Sequence, residues 1–344
     1  MTESSVRWGL LSTARINERL IPAFREAARC ELWGVASRSA EKAAAYAAEH
    51  GIRQAYGSYE AMLADPQIDA VYIALPNGLH EEWTVKAADA GKHVLCEKPL
   101  ALTPAEVDSM AAAARRNGVV VQEAAMVRFH PQTQRLRQMI ADGVLGEIRA
   151  IQATFCFTLT NQADVRLDPA IGGGALWDIG SYPVSFARTM MSANPTGVVA
   201  FQTTSERGVD VGLSGQMRFE GGAVAQFVCS FQSIPHWGAE VIGSNGHITL
   251  DVPWTHQPGK PTHARVVSGG ASTKATFGDS TDHLKDETLT FDGRSAYLYQ
   301  VESMAASILD GVPPVISLDD SRANVQTLVA LYESAREGRI VTMS

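Results

Sequence analysis

The sequence lacks any Cys-x-x-Cys pair: its four cysteines, Cys30, Cys96, Cys156 and Cys229, stand far apart. That spacing implies no disulfide framework, argues against zinc ligation and fits a reducing compartment. Positive charge is also in short supply. The 29 Lys and Arg against 37 Asp and Glu leave a net charge of -8, which removes the electrostatic footprint of a nucleic-acid or anionic-membrane binder. No stretch approaches the ~18 uninterrupted apolar residues of a membrane-spanning helix, and the polar start from Met1 to Val6 carries no apolar leader. The expected location is the cytoplasm. There is no H-E-x-x-H, no P-loop and no G-x-S-x-G elbow, and the nine histidines are scattered without ligand spacing. No metal site is expected.

What is present is a soluble globular composition, 45% hydrophobic and 19% charged. At about 150 residues per domain, a chain of 344 residues divides into two domains. From Val6 to about Glu123, short β-rich runs alternate with helical stretches, the signature of βαβ units and a parallel sheet. Strands are read at Val6 to Leu11, Leu32 to Ala36, Gln54 to Tyr56, Ala70 to Leu75, His93 to Cys96 and Val119 to Gln122. Helices are read at Ile16 to Ala28, with Pro22 kinking or restarting it, then Ala40 to His50, Glu81 to Ala90, and Pro104 to Arg116 behind Thr103 as N-cap. Beyond Glu123 the alternation stops. A helix from Pro131 to Ala141, a long strand from Ile148 to Phe157 and a helix ending near Met191 precede hairpin-style strands at Val198 to Thr204, Gly212 to Phe219, Ala223 to Phe231, Ala239 to Ile242 and His247 to Val252. Glu220-Gly221-Gly222 and Ser244-Asn245-Gly246 are tight-turn chemistry, because glycine and asparagine tolerate positive φ. Helices from Ala296 to Asp310 and Asp319 to Arg336 close the chain. The expected fold is α/β: an N-terminal Rossmann domain over residues 1–124, and a C-terminal α+β domain over 125–344 on a large, mostly antiparallel open sheet.

Four segments of the first domain carry chemistry. A strand, a tight turn and a helix N-terminus make a pyrophosphate site, because unpaired N–H groups and the helix dipole face the anion. Here that turn is Ser12-Thr13-Ala14-Arg15-Ile16, with Ser12 and Ala14 in place of the first two glycines of G-x-G-x-x-G. It is equally an ordinary strand-to-helix turn. At the end of the second strand stand Ala36-Ser37-Arg38-Ser39. No carboxylate is there to hold a ribose 2'-hydroxyl, whereas Arg38 suits a 2'-phosphate; the alternative is a solvated loop arginine. Leu75-Pro76-Asn77-Gly78-Leu79-His80 follows the fourth strand at the carboxyl edge of the sheet, where His80 is a ligand contact or a helix cap.

Cys96-Glu97-Lys98-Pro99 closes the fifth strand at the same edge. With the preceding features, and with Tyr56-Gly57-Ser58-Tyr59-Glu60 and Gly172-Gly173-Gly174-Ala175-Leu176, this run resembles the Gfo/Idh/MocA family of NAD(P)-dependent sugar and cyclitol oxidoreductases. The similarity extends over nearly the whole chain. It is greatest to the branch of dimeric dihydrodiol dehydrogenase, NADP-dependent xylose dehydrogenase and glucose-fructose oxidoreductase. The resemblance implies a cis peptide before Pro99 that aims Lys98 into a cleft. It also implies cofactor contacts at Ser37, Arg38, Pro76, Asn77, His80, Glu97, Arg166 and Tyr297. For Arg166 the competing reading is a salt bridge to Asp164 or Asp168.

In the second domain, Asp178-Ile179-Gly180-Ser181-Tyr182 spaces a carboxylate and a phenol by four residues, on one face if a helix begins near Asp178. A core tyrosine and a helix cap are the plainer alternatives. Most of the family has histidine where Tyr182 stands, while the branch named above has tyrosine, which steers the substrate toward aldoses and diols. Oxidising an alcohol carbon needs a base within reach of its hydroxyl. Tyrosine, with a reference pKa of about 10, is a poor base unless a neighbouring cation favours the phenolate. Tyr182 is therefore expected as acid/base, Lys98 as its electrostatic partner and Asp178 as a hydroxyl-binding residue. The expected cofactor is NADP(H), and the expected substrate an aldose or related polyol. Similar proteins build dimers or tetramers on the second-domain sheet, so a homo-oligomer is expected. The chain starts at its first strand without the long N-terminal arm of glucose-fructose oxidoreductase, so freely exchanging cofactor is expected too. Two rivals remain: oxidation of aromatic trans-dihydrodiols, favoured by an apolar pocket near Phe155 and Trp177, and a dinucleotide-binding regulator without turnover.

Overall fold

Residues 5–269 and 284–343 are described by the computed structural model. In chain order they form β1 (Val6–Leu11), α1 (Asn17–Glu26), β2 (Cys30–Ala36), α2 (Ala40–Glu49), β3 (Gln54–Tyr56), α3 (Tyr59–Leu63), β4 (Ala70–Ile73), α4 (His80–Asp89), β5 (His93–Glu97), α5 (Pro104–Asn117) and β6 (Val121–Ala124). Next come α6 (Pro131–Ala141), β7 (Ile148–Thr158), α7 (Ser181–Met191), β8 (Gly197–Thr204), β9 (Asp210–Arg218), β10 (Val224–Ser230), β11 (Gln232–Gly243), β12 (Gly246–Leu250), β13 (Thr262–Ser268) and β14 (Lys285–Phe291). The chain ends with α8 (Ala296–Asp310), α9 (Leu318–Glu337) and β15 (Val341–Thr342). These elements cluster into two units, one of residues 5–129, 170–172 and 295–325, the other of residues 130–169, 173–269, 284–294 and 326–343.

The first unit holds a six-stranded parallel sheet in the order β3-β2-β1-β4-β5-β6. That order reverses at β1 and β4, the place where a doubly wound sheet opens a crevice for ligands. Period-two alternation sends Val6, Trp8 and Leu10 to one face, where they join Leu20, Phe24, Leu298, Val301 and Met304 of α1 and α8 in a fully buried core. The Trp8 and Phe24 rings meet at 5.0 Å. Pro22 lies inside α1, which runs through it to Glu26 rather than restarting; as the sixth residue of the helix it forfeits the ladder bond back to Glu18. α5 starts as expected, with a full capping box between Thr103 and Glu106, and Gly118 ends it in the left-handed region at φ 63°.

The second unit is built on a nine-stranded sheet in the order β14-β13-β12-β11-β7-β10-β9-β8-β15. All its pairings are antiparallel except β7 with β10. α6, α7 and the end of α9 lie against it. Three departures from the sequence reading have local causes. β11 runs twelve residues rather than Ala239 to Ile242, and Pro235 sits where its register against β7 shifts, the site a proline tolerates in a strand. β13 and β14 went unread; β14 is an edge strand with no buried residue, so it shows no apolar alternation. Glu220-Gly221-Gly222 does use positive φ, but Asn245 and Gly246 do not. Gly246 is needed for closeness instead, since a Cβ there would come 2.1 Å from the Val267 carbonyl oxygen.

Within this unit His130, the N-cap of α6, stacks on His256 with ring centroids 4.0 Å apart. Burial pushes His130 down to about 4, against attraction from Asp292, and His256 down to about 3, where the His130 ring adds to the effect. Both imidazoles fold neutral, while in the unfolded chain they bind protons near pH 6.5. Their stabilisation is therefore complete above about pH 6.5 and is lost as the pH falls from there toward about 4. In thermal unfolding, the melting temperature of the wild type is expected to drop more steeply between pH 6.5 and 4.5 than that of His256→Phe, which keeps a stacked ring and loses one of the two titrating groups. Parallel curves would show that the pair does not govern acid stability.

Candidate active site

In the first unit the predicted residues gather at the carboxyl ends of β1, β2, β4 and β5. Ser12 follows β1 with φ 105°, a conformation that glycine adopts more readily. It is held there by its own hydroxyl, which donates to the Ala74 carbonyl oxygen at 2.8 Å. Asn17, fully buried at the start of α1, donates from Nδ2 to the Ser12 carbonyl oxygen at 2.8 Å and braces the turn from behind. α1 has no side-chain cap. Thr13, Ala14 and Ile16 are half-buried and Arg15 is exposed, so the uncapped helix end is lined by small or flexible side chains. That arrangement fits a dinucleotide pyrophosphate. Ser37 is buried, Ser39 caps α2 by accepting from Lys42 N at 3.2 Å, and the exposed Arg38 between them has no ion-pair partner among the described residues.

After β4, the half-buried Pro76 precedes Asn77, which donates from Nδ2 to the Gly172 carbonyl oxygen at 2.8 Å. His80 is fully buried. Its Nδ1 lies 2.9 Å from the Pro99 carbonyl oxygen and its Nε2 2.8 Å from that of Leu75, and burial lowers its pKa. Its ring nitrogens thus face backbone within the unit rather than standing open to a cofactor. The Glu97 carboxylate receives the Tyr72 phenol and, at 3.2 Å, the Lys98 amide. The Lys98–Pro99 peptide is cis. Glu123, unread as a site residue, accepts the Leu100 amide at 3.1 Å and the Ser321 hydroxyl at 2.7 Å; burial raises its pKa while those two bonds oppose the rise. Tyr297 packs half-buried against the core near the start of α8. Arg128 pairs with Asp320 at 2.8 Å.

In the second unit, Asp178 and Tyr182 belong to one continuous helical segment. It opens with a π turn over Leu176–Gly180 and continues as α7. A buried carboxylate, Asp210, fixes its start by accepting the Leu176 amide at 2.8 Å and the Tyr332 hydroxyl at 2.6 Å. Gly174, at φ 135°, leaves room for that anchor, as a Cβ there would come 2.2 Å from Asp210 Oδ1. Sequence reading missed Asp210 and Tyr332, which lie 34 and 156 positions from Leu176 and Leu176 alone carries no sign of them. Arg166 joins Asp178, Nε to Oδ2, at 2.7 Å and Asp164 at 3.3 Å; of the two aspartates proposed as its salt-bridge partners, Asp164 is engaged. Asp178 is the first cause of its raised pKa. Tyr182 is half-buried against an aromatic wall, its ring 5.4 Å edge-on from Phe155 and 6.2 Å from Trp254. Phe186 meets Trp254 at 5.4 Å, and the Trp254 indole donates to the Thr154 carbonyl oxygen at 2.8 Å.

Residues 6–125 match the family model described as an oxidoreductase family with NAD-binding Rossmann fold, and residues 133–249 match the GFO/IDH/MocA C-terminal domain. The chain is 36% identical over 338 residues to a D-xylose 1-dehydrogenase (NADP(+)) of Haloferax volcanii, covering 98% of this chain and 99% of that one. It is 31% identical over 326 residues to a trans-1,2-dihydrobenzene-1,2-diol dehydrogenase of Xenopus laevis, covering 92% and 94%. The crystal structure of aldose-aldose oxidoreductase from Caulobacter crescentus, complexed with glycerol, superposes with a TM-score of 0.87 at 28% identity over 98% of this chain and 100% of that one. Two matching domain models and full-length relatives above 30% identity lead to one conclusion: the chain belongs to the Gfo/Idh/MocA family of oxidoreductases.

Proposed function

We propose that the protein is an NADP(H)-dependent oxidoreductase acting on the hydroxyl or hemiacetal carbon of an aldose or related polyol. The observation that carries this reading is the placement of Lys98, in a braced turn at the carboxyl end of β5, where a doubly wound sheet presents side chains to ligands. NADP(H) supplies the hydride acceptor or donor. In the oxidative direction Tyr182 takes the proton of the reacting hydroxyl, and Lys98 favours its phenolate by charge. Asp178, oriented by Arg166, accepts a hydrogen bond from a second substrate hydroxyl. The uncapped α1 start, the Ser12–Ile16 turn and Arg38 would hold the pyrophosphate and 2'-phosphate, with Ser37, Pro76, Asn77, Glu97 and Tyr297 lining the rest of the cofactor site. The aromatic wall of Phe155 and Trp254 beside Tyr182 favours a second reading, an aryl trans-dihydrodiol as substrate.

Purified protein assayed with NAD+ and NADP+ against aldoses, inositols and dihydrodiols decides between them. Lys98→Met and Tyr182→Phe are expected to lower kcat on the best substrate by about 10²- to 10⁴-fold while NADPH still binds. Unchanged turnover in Lys98→Met would remove the lysine from the reaction, and no turnover by the wild type with any substrate would favour the regulator. Arg38→Ala is expected to raise the KM for NADP+ by about tenfold or more, the size of one lost charge-assisted bond to phosphate, and to leave that for NAD+ alone. Equal effects on both cofactors would make Arg38 a bystander.

The same proposal includes a homo-oligomer in the cytoplasm. The four cysteines are all free thiols, and among the described residues no helix is long and apolar enough to cross a membrane. On the sheet face opposite α7, Phe201 is 73% and Val228 42% exposed, beside Val199, Thr154 and Gln216; Ile234, in the irregular stretch of β11, is 79% exposed. An uncovered apolar sheet face of this kind suits a second copy. Light scattering at micromolar concentration is expected to give a dimer or tetramer that Phe201→Glu with Ile234→Glu dissociates; a monomeric wild type would end this part of the proposal.

A further inference from the structure

We propose that Glu123 is the positioning residue for Lys98, an inference that rests on the role given to Lys98 above. The peptide group joining Pro99 to Leu100 is the first one after the lysine that carries an N–H, since Pro99 has none. Its two ends both face buried side chains: the Leu100 amide donates to Glu123 Oε1 at 3.1 Å, and the Pro99 carbonyl oxygen lies 2.9 Å from His80 Nδ1. Proline in turn restricts the backbone of the residue before it. The orientation of this one peptide plane therefore sets the direction in which the Lys98 side chain leaves the turn.

Glu123 is fitted to that task. It is 3% exposed, and its backbone is paired with Cys96 in the β5–β6 ladder, two residues before the lysine. Its second oxygen is committed to the Ser321 hydroxyl at 2.7 Å, so the carboxylate has no freedom to rotate away from Leu100. A buried carboxylate bonded to an amide and a hydroxyl is a poor device for stability alone, because its desolvation is costly and an apolar side chain of similar volume would fill the space. What it adds is a fixed acceptor at one backbone position beside a reacting group.

The test compares wild type, Glu123→Leu, Glu123→Gln and Lys98→Met in steady-state oxidation of D-xylose with NADP+, with NADPH affinity read by fluorescence titration. Glutamine can still accept the Leu100 amide, whereas leucine cannot. Glu123→Leu is expected to lower kcat by about 10²-fold, the effect of displacing a reacting group by about 1 Å, with KM for xylose and NADPH affinity within about twofold of wild type. Glu123→Gln is expected to recover kcat to within about threefold. An unchanged kcat in Glu123→Leu beside a collapsed Lys98→Met overturns the inference alone, as does an equal loss in Glu123→Leu and Glu123→Gln. Full turnover by Lys98→Met overturns the role of the lysine and the inference with it. Should Glu123→Leu not fold, Ser321→Ala serves in its place: it frees one carboxylate oxygen and is expected to lower kcat severalfold at constant KM. Wild-type kcat in that variant would equally overturn the inference.

Discussion

A backbone amide that leaves the end of a strand and is still buried must find an acceptor or forfeit the energy of its hydration. At the carboxyl end of a parallel sheet this demand is acute, because the chain turns away from its ladder partners just where ligands are to be met. The molecule answers it with side chains drawn from distant positions. Leu100 is satisfied by Glu123 and, at a helix start in the second unit, Leu176 by Asp210. Each carboxylate is completed by a hydroxyl from α9, Ser321 for one and Tyr332 for the other. The same device thus serves each unit beside a residue assigned to the chemistry.

How much of this was legible in the sequence follows from the range of each interaction. The parallel strands of the first sheet, the N-cap at Thr103 and the ends of α6 and α8 are local or periodic, and the residues announce them. The braces are not periodic. Glu123 reads as one more polar residue at the end of a strand, and nothing near it in sequence names Leu100 or Ser321. Arg166 shows the intermediate case: its pairing with Asp164, two positions away, was readable, while that with Asp178 depends on the π turn that brings the two together. On the opposite side, β14 was lost because an exposed edge strand has no hydrophobic period to detect.

The aromatic wall sharpens what Tyr182 can do. A phenol packed edge-on against Phe155, with Trp254 fixed by its indole hydrogen bond, has little rotational freedom left. The pairing of Asp178 with Arg166 does the same for the carboxylate by charge, where packing is looser and the arginine is partly exposed. Two groups one helical turn apart are thereby held by different forces, dispersion for one and an ion pair for the other.

The lone parallel pairing of the second sheet has a topological consequence. β8 runs antiparallel to β9, and β9 to β10, which lies parallel to β7. β7 and β8 therefore point the same way, and the chain between them has to travel back along the full height of the sheet before β8 can begin. That return path is the stretch holding Arg166, Asp178 and Tyr182. It is an obligatory crossover rather than an ornamental loop: its side chains can be exchanged, but the segment cannot be excised with the strand order kept.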